Sequence, residues 1–124
     1  MRIGADYYPE HWEKERWKTD AEMMVKANIK VIRIGEFAWS LYEPEEGKYE
    51  FDWMDEALDF FGKYGIKVVM CTHSATPPKW MIDKYPDILQ NDIHGNPKLF
   101  GTRKHYCFNS ETYIEKTKKL NTLI

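Results

Sequence analysis

Residues 31–40 are Val31-Ile32-Arg33-Ile34-Gly35-Glu36-Phe37-Ala38-Trp39-Ser40. The β-branched start favours a buried strand, which breaks at the glycine. A carboxylate, two aromatic rings and a hydroxyl follow at once, and polar groups at the carboxyl end of a buried strand are typical of α/β enzyme sites. Aromatic rings beside a carboxylate suit a sugar, which presents hydroxyls and C–H faces. The stretch therefore predicts an α/β fold with a sugar site at its strand ends.

Alternating strands and helices surround this stretch. The pattern predicts strands over 3–6, 30–35 and 66–71, with the third strand covered on both faces because it is an unbroken apolar run after Lys67. It predicts helices over 13–28, 52–65 and 78–85, then a last helix from Ser110, with loops over 40–50 and 87–105. The order β-α-β-α-β-loop-α implies parallel strands joined by helical crossovers.

Local signals mark where these elements begin and end. Asn28 and Gly65 are residues that end helices in the left-handed conformation, and Asp52 and Ser110 are typical N-caps. Turns are predicted over 45–48 and 94–97. There is no repeat or linker, so residues 1–124 are expected to be a single portion of one domain.

The composition and charge of the chain argue against two classes of partner, nucleic acids and membranes. Of the 124 residues, 43% are hydrophobic and 15% aromatic, and the net charge of −2 comes from interspersed charges. No basic stripe is present, which argues against nucleic acid as the main partner, and no apolar run approaches the ~20 residues that cross a bilayer. The first ten residues lack a signal-peptide pattern, so we expect a cytoplasmic protein without a membrane partner.

Groups suited to a sugar site follow each predicted strand. The strand ends are followed by Asp6, Tyr7, Tyr8, Glu10, His11 and Trp12; by Glu36, Phe37, Trp39 and Ser40; and by Thr72, His73, Ser74, Thr76 and Trp80. A further cluster is Arg103, His105, Tyr106, Cys107 and Asn109. Because parallel strands bring such loops to one face, we predict that they converge on a substrate pocket.

Individual members of these groups have structural alternatives. Glu36 either joins the site, caps a helix or pairs with Arg33, and His73 is more typical of a packing residue than of a general base. Trp39 and Trp80 suit either a core or a pocket. Arg103, which lies among aromatic residues, presents a guanidinium fork that can grip hydroxyls. The acidic groups Glu10-x-x-Glu13 and Glu43-x-Glu45-Glu46 are interpreted as solvated charges.

The two cysteines are Cys71 and Cys107. Cys71 lies in an apolar run and is interpreted as a reduced core thiol. A disulfide between them is not expected in the cytosol, and the sequence has no C-x-x-C.

Five segments together resemble one family over nearly the whole chain. They are Gly4-Ala5-Asp6-Tyr7-Tyr8-Pro9-Glu10-His11-Trp12; Arg33-Ile34-Gly35-Glu36-Phe37-Ala38-Trp39-Ser40; Glu43-Pro44-x-x-Gly47-x-Tyr49-x-Phe51-Asp52-Trp53; Thr76-Pro77-Pro78-x-Trp80; and Gly101-x-Arg103-x-His105-Tyr106-Cys107-x-Asn109-Ser110. They are similar to the N-terminal part of a glycoside hydrolase family 42 β-galactosidase.

This resemblance implies a (β/α)8 barrel that hydrolyses terminal β-D-galactosides with retention, through two carboxyl groups about 5 Å apart. In the family the acid/base glutamate follows an asparagine at the end of strand four, and the nucleophile lies at strand seven. The sequence has no Asn-Glu pair, so we expect an N-terminal portion of the barrel, truncated before strand four, that holds neither catalytic glutamate and is inactive alone.

The resemblance also assigns binding residues. Arg103 matches the arginine that contacts galactose, and we expect Glu36, Trp39 and His73 to lie with it around the substrate. Cys107 matches the first of four cysteines that bind structural zinc in some members, so zinc is expected only in a longer parent, since such sites need four ligands. No other cofactor is expected.

Open barrel edges predict self-association or pairing with the remainder of the barrel. The alternative functions are a non-catalytic galactoside-binding or assembly module and a related α/β sugar enzyme of family 35 or family 5.

Overall fold

The structure is a computed structural model that describes residues 3–102 and 104–124. The described chain forms two compact units. Unit 1 comprises residues 3–35 and 51–71, and unit 2 comprises residues 36–50, 72–102 and 104–124. Each unit is therefore assembled from segments that are separated in sequence.

Unit 1 is a parallel sheet with crossover helices. Its strands are β1 (Ile3–Asp6), β2 (Ile29–Ile34) and β3 (Lys67–Met70), and within the described residues their order in the sheet is β1-β2-β3. Helix α1 (Lys14–Lys26) connects β1 to β2. The register pairs Asp6 with Arg33, and Ile34 with Met70. The predicted parallel strands and helical crossovers are thus confirmed.

The core of unit 1 lies on one face of the central strand. Ile32 and Ile34 of β2 are buried there. Phe61, fully buried, has its ring centroid 5.3 Å from that of Tyr7 and 6.1 Å from that of Trp17. The helical spacing of Trp17 and Ala21 explains this packing, because residues four apart lie on one helix face.

The prediction that the third strand is covered on both faces is wrong for this structure. Val69 of β3 is 51% exposed and Lys67 is exposed. The reason is that only one face of the sheet is covered: Val69 shares its face with its register partner Arg33, which is also not buried, whereas Ile32 and Ile34 are buried on the other face. The apolar sequence of β3 does not decide whether a second layer covers that face.

Unit 2 is built from two short helices, one longer helix and the loops that follow β2 and β3 in the chain. Its helices are α2 (Trp39–Tyr42), α4 (Lys79–Lys84) and α5 (Glu111–Leu123), while α3 (Asp52–Lys63) belongs to unit 1. Isolated antiparallel bridges join Leu89 to Tyr106 and Asn91 to Pro97. The rings of Tyr106 and Tyr113 stack at 4.3 Å between centroids, which ties α5 to the preceding loop.

Several predicted boundaries are confirmed. Asn28 and Gly65 both have the left-handed φ expected of helix ends, 58° and 69°. The hydroxyl of Ser110 accepts a hydrogen bond from the Tyr113 N–H at 3.3 Å, as an N-cap does.

Two local predictions are corrected. Asp52 is the first residue of α3 rather than its N-cap, and Phe51 occupies the cap position. The predicted loop 40–50 contains most of α2, a single helical turn too short for a periodic signal. In the described part of the chain, no helix has the length and apolarity to span a membrane.

Candidate functional site

Parallel pairing brings one charged pair together at the strand ends of unit 1. The guanidinium of Arg33 donates to both carboxylate oxygens of Asp6, at 2.8 and 3.0 Å. The two residues are register partners at the carboxyl ends of β1 and β2. The Arg33 hydrogen bonds hold the pKa of Asp6 below its usual range, so this carboxylate is an acceptor and not a proton donor at neutral pH.

Unit 2 contains a cavity of about 260 Å³ made by residues that follow β2 and β3. We call it the unit 2 cavity. The described residues that line it are Phe37, Ser40, Thr76, Pro77, Pro78, Lys79, Phe100, Gly101, Thr102 and His105. Aromatic and proline walls with a few polar groups are typical of pockets that bind small organic molecules.

The most notable polar atom beside this cavity is Nε2 of His105. The imidazole is 1% exposed, and Nδ1 lies 2.6 Å from the carbonyl oxygen of Thr102. A carbonyl only accepts, so Nδ1 donates and Nε2 of the neutral ring is left with a lone pair. Within the described residues Nε2 has no partner, and neither has the buried hydroxyl of Thr76.

These two buried atoms favour an uncharged, hydroxyl-bearing ligand. A buried polar atom without a partner costs about 1–3 kcal/mol, which a ligand hydroxyl that reached it would offset. Phe37 and Phe100 offer flat apolar surfaces for the C–H faces of a sugar ring. The cavity therefore has the chemistry that the sequence predicted for a sugar site, and it includes Phe37, Ser40, Thr76 and His105 of the groups named from the sequence.

Glu43 in unit 2 binds two tryptophans, one through its carboxylate and one through its backbone carbonyl. Glu43 is 2% exposed; it accepts from the Trp39 indole N–H at 3.0 Å and from the backbone N–H of Gly47 at 2.8 Å. The indole N–H of Trp80 donates to the Glu43 carbonyl oxygen at 2.8 Å. Glu43 thus connects the segment after β2 to α4 at one point.

The interpretation of Glu43 as a solvated charge is therefore wrong. The one-turn helix α2 places Trp39 and Glu43 four residues apart on one face, so the carboxylate reaches the indole. The four-residue spacing of Trp39, Glu43 and Gly47 is a sequence signal for these contacts. It predicts them only if residues 39–42 are recognised as helical. Glu10, also interpreted as solvated, is half-buried, and burial raises the pKa of its carboxyl.

The predicted binding residues take separate positions. Trp39 is fully buried, and His73 is buried with its ring 4.1 Å from that of Tyr42. Glu36 is half-buried and follows Gly35, whose φ is 82°. None of these three is among the described residues that line the unit 2 cavity, and Arg103 lies outside the described residues. Their roles in binding stay predictions.

Cys107 is half-buried, with its backbone N–H bonded to the Ile88 carbonyl at 2.7 Å. Over residues 3–102 and 104–124, no three His, Cys, Asp or Glu side chains are grouped so as to hold a metal. The assignment of Cys107 to a zinc site stays a prediction.

A charged cluster fixes the loop that carries Glu43. The Glu46 carboxylate accepts from Lys116 at 2.7 Å, from Lys84 and from the Tyr85 hydroxyl at 2.9 Å. The Lys116, Lys84 and Tyr85 hydrogen bonds lower the pKa of Glu46 from its ordinary value of 4.5 to about 2. One side chain thus links this loop to α4 and α5.

This lowered pKa predicts a pH dependence of stability. Because the folded pKa is below the unfolded one, the contribution of Glu46 is complete above pH 4.5 and is lost as the pH falls toward 2. We expect Glu46→Gln to make the free energy of unfolding less steeply dependent on pH in that window. Urea denaturation at several pH values measures the slope, with the exposed neighbour Glu45→Gln as the control. An unchanged slope in Glu46→Gln would contradict the assigned ion cluster.

The chain is similar in sequence to proteins of one known family. A family model for glycoside hydrolase family 42, described as beta-galactosidase, matches residues 6–124. Beta-galactosidase BgaH of Haloferax lucentense is 47% identical over all of this chain and 19% of its own length. A beta-galactosidase of Thermus thermophilus is 52% identical over 98% of this chain and 19% of its own length.

Solved structures agree with the sequence comparison. The crystal structure of a beta-galactosidase from the psychrophilic Marinomonas ef1 is 44% identical and superposes with a TM-score of 0.94 over 99% of this chain and 19% of that chain. The chain thus spans about a fifth of the length of the relatives it matches.

Proposed function

The chain belongs to the glycoside hydrolase family 42 β-galactosidases, and from this premise we propose that it forms the first three strand–helix units of a barrel that hydrolyses terminal β-D-galactosides with retention. The observation that carries the proposal is the 47–52% identity to β-galactosidases over essentially the whole chain. Three parallel strands with crossover helices agree with the matching part of such structures.

Within this enzyme, we propose that these residues bind the galactoside and do not cleave it. Retaining hydrolysis needs an acid/base carboxyl and a nucleophilic carboxylate on either side of the glycosidic bond. The asparagine–glutamate pair that the family resemblance requires for the acid/base does not occur among the 124 residues. Arg103, Glu36, Trp39 and His73 are the proposed contacts to the sugar, with the unit 2 cavity beside His105 as a further binding surface.

The unit 2 cavity also supports the second candidate, a galactoside-binding module without catalysis. The features that support this candidate are the two buried polar atoms without a described partner, Nε2 of His105 and the hydroxyl of Thr76, and the aromatic walls of the cavity. The two candidates share the ligand and differ in whether these residues act as part of a complete barrel. A cytoplasmic location belongs to the same proposal, and cell fractionation tests it.

Two measurements on the 124-residue chain test the proposal. We expect no turnover of a nitrophenyl β-galactoside, with a full-length β-galactosidase of the same family as positive control. We expect galactose to shift the NMR signals of the tryptophan indoles weakly, with Arg103→Ala abolishing the shift and Lys104→Ala, an exposed neighbour, retaining it.

The outcomes separate the alternatives. Turnover at the rate of the full-length enzyme would refute the claim that cleavage needs carboxylates outside these residues. No indole shift with galactose, together with no turnover, would leave the binding-module candidate without support. A shift that survives Arg103→Ala would refute the role of that arginine.

A further inference from the structure

Two hydrogen bonds hold described residues on either side of Arg103 in the sequence. Nδ1 of His105 lies 2.6 Å from the carbonyl oxygen of Thr102, and Nδ1 donates because a carbonyl only accepts. The Thr102 hydroxyl donates to the carbonyl oxygen of Leu99 at 2.8 Å. We call this segment the 99–105 loop, which the structure describes at residues 99–102, 104 and 105. The imidazole thus joins the residue before Arg103 to the residue two positions after it.

The backbone of the 99–105 loop has an uncommon conformation. Lys104 has a φ of 56°, in the left-handed region that residues other than glycine rarely adopt. Such a conformation persists where surrounding contacts hold it, and it is concentrated at functional sites. The Lys104 side chain is exposed, so we attribute its backbone conformation to the neighbouring residues, among which His105 is buried.

His105 is itself fixed by contacts within unit 2. It is 1% exposed, and its carbonyl oxygen accepts from the backbone N–H of Gln90 at 2.8 Å. Its ring meets the rings of Phe100 and Tyr106 edge-on, with centroids 5.7 and 6.2 Å away. A ring enclosed in this way has little freedom to move, so its Nδ1–H holds the Thr102 carbonyl in one place. None of these contacts depends on later strands of a barrel.

We propose that His105 is a positioning residue for Arg103, because it fixes the backbone from which the guanidinium reaches the galactoside. The inference rests on the proposed function, in which Arg103 contacts the sugar. An arginine side chain is long and flexible, so a fixed backbone on both sides reduces the freedom that binding must remove. This role belongs to Nδ1 of His105 and does not require Nε2 to contact the ligand.

Asparagine and glutamine separate the two nitrogens of the imidazole. The amide nitrogen of asparagine is bonded to Cγ, as Nδ1 is, so it can donate to the Thr102 carbonyl. The amide of glutamine lies one bond further out, at the position of Nε2. Both substitutions remove the buried ring, so a merely structural role of His105 predicts equal effects on galactose binding.

The experiment titrates the 124-residue chain with galactose and follows the NMR signals of the tryptophan indoles. We expect His105→Gln to raise the dissociation constant at least about tenfold, the change expected when hydrogen bonds from a charged group are lost. We expect His105→Asn to stay within about threefold of the unsubstituted chain, since the donor at Nδ1 is retained. His94→Gln, at an exposed histidine of unit 2, is the control and should leave the constant unchanged.

A second readout does not use galactose. Proton–nitrogen correlation spectra of the unsubstituted chain should show the His105 ring protonated at Nδ1 and not at Nε2. The steady-state nuclear Overhauser effects of the Thr102 and Lys104 amides should fall in His105→Gln and persist in His105→Asn, because the first substitution frees the 99–105 loop.

The outcomes distinguish this proposal from the proposed function. A neutral His105 ring protonated at Nε2, or equal dissociation constants in the two His105 variants, would overturn it. Binding retained by His105→Gln and lost in His105→Asn would also overturn it, because His105 would then act through Nε2. If galactose shifts no signal of the unsubstituted chain, the proposed function fails, and the loop amides alone decide whether His105 holds the loop.

Discussion

Replacing Glu43 with alanine is expected to lower the free energy of unfolding by about 2–4 kcal/mol, because it leaves one buried donor and one part-buried donor without an acceptor. The buried donor is the indole N–H of Trp39, and the part-buried donor is the backbone N–H of Gly47. Removing a buried charge recovers part of its desolvation cost, which keeps the loss below the sum of two unsatisfied groups. We expect the hydrogen bond from the Trp80 indole to persist, because it goes to the Glu43 carbonyl oxygen, which alanine retains.

Urea denaturation followed by tryptophan fluorescence measures this effect, with Glu45→Ala as the matched control. Glu45 lies two residues away, is exposed, and makes its described backbone hydrogen bond through its carbonyl oxygen. Its replacement should change the free energy of unfolding by no more than about 0.5 kcal/mol. Equal effects of the two substitutions would show that the buried carboxylate does not hold the tryptophan.

Replacing Phe61 with alanine is expected to destabilise unit 1 by about 3–5 kcal/mol, the usual cost of emptying a fully buried aromatic site. The Phe61 side chain is 0% exposed and packs against the rings of Tyr7, Trp17 and Phe60. Tyr7 directly follows β1, so loss of this packing should also loosen the strand end that presents Asp6 to Arg33.

Phe108→Ala is the control for this substitution, because the Phe108 side chain is 60% exposed in unit 2. Phe108→Ala should lower the free energy of unfolding by no more than about 1 kcal/mol, because Phe108 makes one edge-to-face contact with the ring of Tyr106. Denaturation midpoints compare the two variants, and amide exchange in β1 and β2 reports whether the loss is confined to unit 1. A midpoint for Phe61→Ala close to that of Phe108→Ala would contradict the described core.

Much of the secondary structure of unit 1 could be predicted from the sequence, because the patterns that specify it involve residues only a few positions apart. The spacing of Trp17, Ala21, Met24, Val25 and Asn28 predicts one buried side of α1; Trp17 and Ala21 are buried as predicted, whereas Val25 is 41% exposed. Gly65 ends α3 because its backbone needs a left-handed φ. The order of strands and helices then implies a parallel sheet. The five segments that resemble the family could also be recognised in the sequence alone, since each motif consists of neighbouring residues.

The candidate site was predicted less completely. The sequence identified Trp39 and His73 as residues after strands, and the structure buries both. It did not identify Glu43, whose role depends on an unrecognised helical turn, nor the Nε2 atom of His105, whose partner at Nδ1 is a backbone carbonyl. A charged residue near glycine and proline, such as Glu43, is interpreted as solvent-exposed when only its neighbours in the sequence are considered.

The sequence by itself determined the order of the strands and of the helices other than α2, the helix ends at Asn28 and Gly65, the cap at Ser110 and the family segments, because each depends on residues a few positions apart. Only the tertiary structure decided that Val69 of β3 is exposed, that Glu43 is buried and that a cavity forms beside His105. Those features depend on contacts between distant residues: Trp80 reaches Glu43 across 37 positions, and Tyr113 reaches Ser74 across 39. Burial is a property of neighbours in space, which local sequence patterns do not specify.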